Sequence, residues 1–386
     1  MIEKRWRIAC IVGTRPNFIK IAPIIRALEA TSIETTLVHT GQHYDPDLNQ
    51  TFFEQLDIPV PDHSLSVGSG SHATQTAEIM MRFEKVIESD RPDAVLVVGD
   101  VNSTIACGLV ASKQQIPVVH VEAGLRSRDR DMPEEINRLL TDQLADVLYV
   151  TERSACTNLL REGIPESAVE FVGNVMVDSL LASRAKTESA AKILSSLGVD
   201  MRNRSIERGF ALVTLHRPSN VDDGPTLTGL IDVLGRIGTM LPVIFPIHPR
   251  TKARLEQFGL LRRMQSEDII VLPPIGYLEM TGLMANARMV LTDSGGLQEE
   301  TTALNVPCLT LRNNTERPIT VEQGTNTIVG TQAEIILGEV RKILATGGKR
   351  GHIPELWDGH AAERIAASLQ SRFFEGRMRR NEGQPT

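Results

Sequence analysis

Residues Ala94-Val95-Leu96-Val97-Val98-Gly99 form an apolar run without a polar break. A strand with one face in water alternates polar and apolar residues; an unbroken run means burial on both faces. That happens in a parallel sheet covered by helices on both sides, so the run points to an α/β fold. Asp100 follows at once, then Asn102-Ser103-Thr104 and a helical pattern through Ala111. Open α/β sheets bind ligands at the carboxyl ends of their strands, which makes Asp100 a site candidate. Its other available use is as N-cap of the next helix.

The same pattern repeats along the chain. Residues 7–12 (RIACIV) read as a strand and Gly13-Thr14-Arg15-Pro16 as a turn. A helix from about Asn17 to Glu29 then carries Phe18, Ile21, Ala22, Ile25 and Leu28 on one face. Further strands are expected at 35–39, 116–119, 147–150 and 170–172, with helices around 47–56 and 74–88. A second series of strands runs through 210–215, 242–247, 268–272, 289–292 and 306–311. Two such series in 386 residues predict two doubly wound, Rossmann-like domains facing a cleft. The expected division is 1–173 for the first domain, 174–208 for a polar helical connection, 209–375 for the second domain and 376–386 for a frayed polar tail.

A net charge of −7 argues against nucleic acid or a membrane surface as the general partner. Cysteines 10, 107, 156 and 308 show no metal-ligand or redox spacing, which predicts reduced thiols in a cytoplasmic protein. His39 and His43 flank Gly41, so a turn is expected there rather than a metal-binding helix face. No signal peptide or membrane-spanning run is expected. Gly68-Ser69-Gly70-Ser71-His72-Ala73 fits G-x-G-x-x-A but follows PVPDHS rather than a clear first strand, so a mobile glycine-rich loop is the better reading than a dinucleotide site.

His120 to Arg138, HVEAGLRSRDRDMPEEINR, is the densest charged stretch between apolar runs. Asp131 and Glu134 read as a capping box for a helix opened by Pro133, with Ile136, Leu139, Leu140 and Leu144 as its apolar side. Glu122, just past the expected strand end, and Glu135, in the first helical turn, have no such structural use. They are acid/base candidates, against the alternative of a solvated charged loop. Arg15 and Lys20 near a helix start could hold a phosphate. In Asp293–Glu300, DSGGLQEE, the Ser294-Gly295-Gly296 turn could bring amides to a diphosphate and Glu300 could accept from ribose hydroxyls. No P-loop is present.

Taken together the chain resembles the non-hydrolysing UDP-N-acetylglucosamine 2-epimerases. The resemblance rests on GTRPNFIKIAPI, GQH, VVGDVNST, HVEAGLRSRDRDMPEEINRLLTD, FVGNVMVDSL, LVTLHRPSNVDD, FPIHPRT, LTDSGGLQEETTALNVPCLTLRNNTERP and the GT at 324–325, in order over residues 8–330. It implies the two-domain glycosyltransferase-B fold, a homodimer and a UDP-sugar held mainly by the second domain. It also implies roles: Asp100, Glu122 and Glu135 as acidic catalytic residues, His216 as the active-site histidine. Arg15, Lys20, His248, Ser294, Gly295, Gly296, Glu300 and Arg317 fall at nucleotide-site positions. The pattern departs at Tyr44-Asp45 after Gln42-His43, and at Pro218-Ser219-Asn220 after Arg217. In many members those stretches serve a second, activating substrate molecule.

The implied chemistry suits these residues. The C2 hydrogen of such a sugar has no neighbouring carbonyl, but departure of UDP gives C1 positive character and makes C2 acidic. That requires a cationic diphosphate grip and carboxylates near the ring, and neither metal nor nicotinamide cofactor. Competing expectations are an epimerase for a modified UDP-2-acetamido sugar, a glycosyltransferase on the same fold, and a nucleotide-sugar-binding regulator without catalysis.

Overall fold

The computed structural model describes residues 5–41, 46–199, 209–264 and 269–376. They build two parallel sheets. The first contains β1 (Trp6–Val12), β2 (Ile33–His39), β3 (His63–Ser64), β4 (Ala94–Val98), β5 (Val118–Ala123), β6 (Val147–Val150) and β7 (Val169–Phe171), in the order β3-β2-β1-β4-β5-β6-β7. The second contains β8 (Ala211–Thr214), β9 (Val243–Pro246), β10 (Ile269–Leu272), β11 (Met289–Thr292), β12 (Cys308–Thr310) and β13 (Asn326–Ile328), in the order β10-β9-β8-β11-β12-β13. In each, strand order reverses beside the first strand: β1 pairs with β2 and β4, β8 with β9 and β11. The crevice at such a reversal is where doubly wound sheets bind ligands.

All five residues of β4 are buried, as an apolar run between two helical layers requires. Val95 and Val97 pack with Ile79, Phe83, Val110 and Ala111 from the helices His72–Ser89 and Asn102–Lys113. In the second sheet Val213, Phe245 and Leu291 pack with Leu227, Leu230 and Leu234 of the helix Gly224–Gly238. Each such side chain stabilises the fold by roughly 1.5–3 kcal/mol on burial.

Two compact units result: Met1–Ser179 with Glu355–Thr386, and Leu180–Pro354. This differs from the expected division at both ends. The last helix, Ala361–Phe374, was grouped by sequence order with the second domain, but its contacts belong to the first. Asp178 accepts hydrogen bonds from the Ala361 and Ala362 amides at 3.2 and 2.7 Å, and the Trp357 indole donates to the Thr151 carbonyl at 3.0 Å. The expected connection holds two helices, Val175–Arg184 and Ala190–Ser196; its end, 200–208, lies outside the described residues, as do Gln42–Asp45 and the tail from 377.

Three local expectations are corrected. The strand placed at 116–119 is β5, so Glu122 lies within it rather than beyond it. The β5–β6 register shifts between Val121 and Ala123, making Glu122 the extra residue of a bulge with φ +69°. Asp131 and Glu134 form no capping box: Met132 is the N-cap of Pro133–Leu144, without a side-chain bond. That helix also sits the other way round. It buries Glu135, Arg138, Thr141 and Asp142, while Ile136 and Leu140 are exposed. In line with the sequence reading, the glycine-rich segment before the Ser71-capped helix His72–Ser89 follows the short β3 rather than the first buried strand.

Candidate active site

In the first unit the candidates gather at the carboxyl ends of β1, β4 and β5. Arg15 opens the helix Arg15–Glu29, its guanidinium 5.7 Å from the centre of the Phe52 ring. One turn on, Lys20 is buried and its Nζ donates to Glu122 Oε1 at 2.8 Å. Gly99 has φ +67°, which favours glycine, and a Cβ there would lie 2.7 Å from Lys20 Nζ and displace the ammonium group. Asn17 ties the same ends together. Its Oδ1 accepts from the Gly13 and Thr14 amides at 3.2 and 3.1 Å, and its Nδ2 donates to the Val98 carbonyl at 3.0 Å.

Asp100 does not cap the next helix, whose N-cap is Val101. Its carboxylate instead pairs with Arg138, and its carbonyl accepts from Asn137 Nδ2 at 2.8 Å. Arg138 also reaches Glu135, through Nε at 3.0 Å and Nη2 at 2.8 Å. Glu135 accepts in addition from the Ser127 amide and hydroxyl at 2.9 and 3.0 Å and from the Arg128 amide at 2.8 Å. Burial works to raise its pKa, but these amides and Arg138 outweigh it and hold the carboxyl below its usual range. Arg128 adopts φ +60° in the turn that presents those amides. Such a conformation costs a non-glycine residue on the order of 1 kcal/mol and persists where surroundings enforce it.

In the second unit the candidates gather at the ends of β8, β9 and β11. Asp293, fully buried after β11, accepts from the His216 amide at 3.0 Å and the Arg217 amide at 2.9 Å. His216 Nδ1 lies 3.0 Å from Asp293 Oδ1, which orients the ring and turns Nε2 away from the carboxylate. Burial opposes ionisation of Asp293, yet His216 and the backbone donors keep its pKa low. The His248 ring stands 5.5 Å from that of His216, and its Nδ1 accepts from the Arg250 amide at 3.2 Å.

Ser294 is the N-cap of the helix Gly295–Leu304 but makes no side-chain cap bond, and Gly296 is partly exposed in the first turn. A Cβ at Gly295 would lie 2.4 Å from Glu316 Oε1 and 2.6 Å from Arg317 Nη1. Arg317 therefore packs directly under the glycine turn. It pairs with Glu316 at 2.6 Å and Glu299 at 2.8 Å, while Arg312 and Arg217 reach Glu316 at 2.8 and 3.5 Å. Burial disfavours a charged Glu316, but Arg317, Arg312 and Arg217 hold its pKa far down. Arg317, Arg312 and Arg217 thus converge beside the glycine turn that opens a helix, and a helix N-terminus favours an anion.

Glu300 is buried one turn further along and accepts from the Tyr277 hydroxyl at 2.9 Å. Burial pushes its pKa up to about 7, aided by Glu299 and opposed by Tyr277. The native carboxyl thus keeps a proton that an unfolded one releases near its usual 4.5, and stability from this group falls as pH rises from 4.5 through about 7. Glu300→Gln should remove the penalty: its stability relative to the parent should improve by up to about 3 kcal/mol between pH 5 and pH 8 in ligand-free denaturation. A difference flat across that range would contradict it.

The comparisons with known proteins agree with this geometry. The UDP-N-acetylglucosamine 2-epimerase family model matches residues 26–370. A UDP-N-acetylglucosamine 2-epimerase of Methanocaldococcus jannaschii is 44% identical over 369 residues, 94% of this chain and 98% of that protein. The chain belongs to the UDP-N-acetylglucosamine 2-epimerase family. A Pseudomonas aeruginosa UDP-2,3-diacetamido-2,3-dideoxy-D-glucuronate 2-epimerase is 41% identical, covering 94% of this chain and 99% of its own. Among solved structures, the M. jannaschii epimerase in complex with UDP-GlcNAc and UDP superposes with a TM-score of 0.87 at 43% identity, over 95% of this chain and 99% of that one. The Neisseria meningitidis epimerase bound to UDP-GlcNAc gives 0.85 at 28%, over 95% and 100%. The 2-epimerase fold, two Rossmann-like domains of glycosyltransferase-B type, is therefore the fold of this chain.

Within the family frame, residue-by-residue reading overlooked Arg138, Asp293, Glu316 and Asn17. Arg138 carried a signal, three residues after Glu135 and so on the same helix face. Asp293 stands directly before the glycine turn. Nothing local marked Glu316 or Asn17 as buried.

Proposed function

We propose that this protein interconverts UDP-N-acetylglucosamine and UDP-N-acetylmannosamine by elimination and re-addition of UDP. The observation that carries the reading is the gathering of Asp100, Glu122 and Glu135 with Lys20 and Arg138 at the ligand-binding end of one doubly wound sheet. In the forward step a carboxylate takes the C2 proton while the C1–O bond breaks and its electron pair leaves with UDP. The unsaturated 2-acetamido sugar then receives UDP back at C1 and a proton at C2 from the opposite face. Asp100 and Glu122 are the proton-transfer residues. Glu135 already accepts five hydrogen bonds, so its part is to hold Arg138 against Asp100. In the first unit Arg15 and Lys20 supply cations for a phosphate, and in the second unit the Ser294-Gly295-Gly296 turn above the Arg317 cluster offers amides to a diphosphate. Glu300 accepts from the ribose, and His216, oriented by Asp293, and His248 line the phosphate side.

The test is the reaction in D₂O, read by mass spectrometry, with an oxygen label in the C1–O–phosphate bridge. Deuterium should appear at C2 and the label should scramble into non-bridging positions. Product lacking either would rule the mechanism out. The same incubation with a 2,3-diacetamido uronate UDP-sugar addresses the second reading, which the 41% identical P. aeruginosa relative keeps in play; turnover of that sugar alone would reassign the substrate.

The protein works as a homodimer in this reading. Ile136 and Leu140 present an apolar face on Pro133–Leu144, 38% and 51% exposed, opposite the buried polar stripe of the same helix. A second copy presenting the same apolar face is the occupant such a patch suits. Leu140→Glu should halve the mass seen by light scattering at micromolar concentration. A variant of unchanged mass, or a monomeric parent, would count against it.

A further inference from the structure

We propose that His120, held as an imidazolium by Asp142, is a positioning residue that fixes the two turns bearing Asp100 and Glu122. The inference rests on the proposed function for the roles of those carboxylates. His120 lies in β5 opposite Val97 of β4 and has no exposed surface. Its Nδ1 stands 2.7 Å from Asp142 Oδ1 and its Nε2 2.8 Å from the Gly99 carbonyl oxygen. A carbonyl oxygen accepts only, and so does an ionised carboxylate.

Asp142 is ionised. Independently of His120, its Oδ2 meets the Arg126 guanidinium at 2.7 Å and accepts from the Gly124 amide at 3.1 Å, two donors that suit a carboxylate. A neutral imidazole would therefore set a ring lone pair against one of two oxygens within hydrogen-bond distance. That buries a repulsive, unsatisfied contact in both tautomers, and turning the ring over presents carbon to both oxygens. Only the doubly protonated ring satisfies both partners. Arg126 also pairs with Glu162, so two buried cations, His120 and Arg126, meet two carboxylates, Asp142 and Glu162.

The positions of these contacts give the pair its role. The Gly99 carbonyl belongs to the peptide that leads into Asp100. His120 thus sets the direction of that peptide from inside the sheet, while Arg138 holds the Asp100 side chain. Asp142 Oδ2 accepts from the Gly124 amide at 3.1 Å, two residues beyond Glu122. Glu122 itself holds the uncommon φ of +69°, which surrounding contacts must enforce. One buried ion pair so anchors both turns, and a shift of either would move a reacting carboxylate.

The test combines a spectrum with kinetics. In protein labelled with ¹⁵N-histidine, the His120 ring nitrogens, identified by their loss in His120→Gln, should both report as protonated in the folded protein. His120→Gln, Asp142→Asn and the double variant should each lower kcat by about 10–100-fold with KM changed less than about threefold, the double no more than either single. UDP affinity by calorimetry should stay within the same threefold. An unprotonated ring nitrogen at His120 would overturn the proposal, as would folded variants with parental kcat or losses that multiply. Should the variants fail to fold, the spectrum of the parent decides, with the His120 signal then assigned by its couplings. A parent protein that does not epimerise the UDP-sugar sinks the functional reading, while the ring-nitrogen spectrum still decides the imidazolium.

Discussion

Asp100→Asn should slow epimerisation by about 10²–10⁴-fold, the scale for loss of a proton-transfer group. Of the three carboxylates at the end of the first sheet, Asp100 is the accessible one. Its side chain is 20% exposed, against 2% for Glu122 and 2% for Glu135. A carboxylate open to the crevice meets substrate without rearrangement, and proton transfer also needs a capacity to change charge. Glu135, surrounded by donors and held low, has little of that capacity. Asp100 pairs with Arg138 and keeps its side chain partly exposed. Asparagine keeps the size and can still accept from Arg138, so the fold should survive and KM should change little. Steady-state kinetics on the purified variant settle the point. A kcat within about threefold of the parent would remove Asp100 from the chemistry.

Part of this geometry was readable from residues alone, for a physical reason. Strands buried on both faces carry unbroken apolar runs, and polar residues then stand at strand ends because the crevice there is wet. Asp100 after Ala94–Val98 and Ser294-Gly295-Gly296 after Met289–Thr292 follow that rule. The rule fails where polar groups are buried against each other. On Pro133–Leu144 Ile136 and Leu140 face out, while Glu135, Arg138, Thr141 and Asp142 face in. Periodicity gives the phase of such a helix but not its direction, because a satisfied polar stripe has the pattern of a solvated one. Glu122 escaped placement for a different cause: a bulge shifts register by one residue, and no composition marks it. The return of Ala361–Phe374 to the first unit is a long-range contact, secured by Asp178 and Trp357, and chain order argues the opposite way.

Lys20→Met should cost about 3–5 kcal/mol of stability, the penalty for removing one partner of a buried ion pair. Lys20 and Glu122 meet at 2.8 Å with side chains only 4% and 2% exposed. Without the ammonium, Glu122 must ionise in a site closed to water or take up a proton, and either course disfavours the fold at neutral pH. The pair is nevertheless a poor device for stability as such. Two desolvated charges recover little beyond what apolar packing would supply, so the neutral double variant Lys20→Met/Glu122→Gln should regain most of the loss. In the proposed mechanism both variants should be inactive, since each lacks the Lys20 cation and the double also lacks the Glu122 carboxylate. That contrast separates the two possible reasons for burying charge at this strand end. If Lys20 and Glu122 served the fold, stability and activity would fall together and the double variant would be the worse. If they serve the reaction, stability returns in the double variant and activity does not. Urea denaturation of the parent, both single variants and the double, read beside turnover, completes the cycle. Equal stability of the single and double variants would refute the assignment.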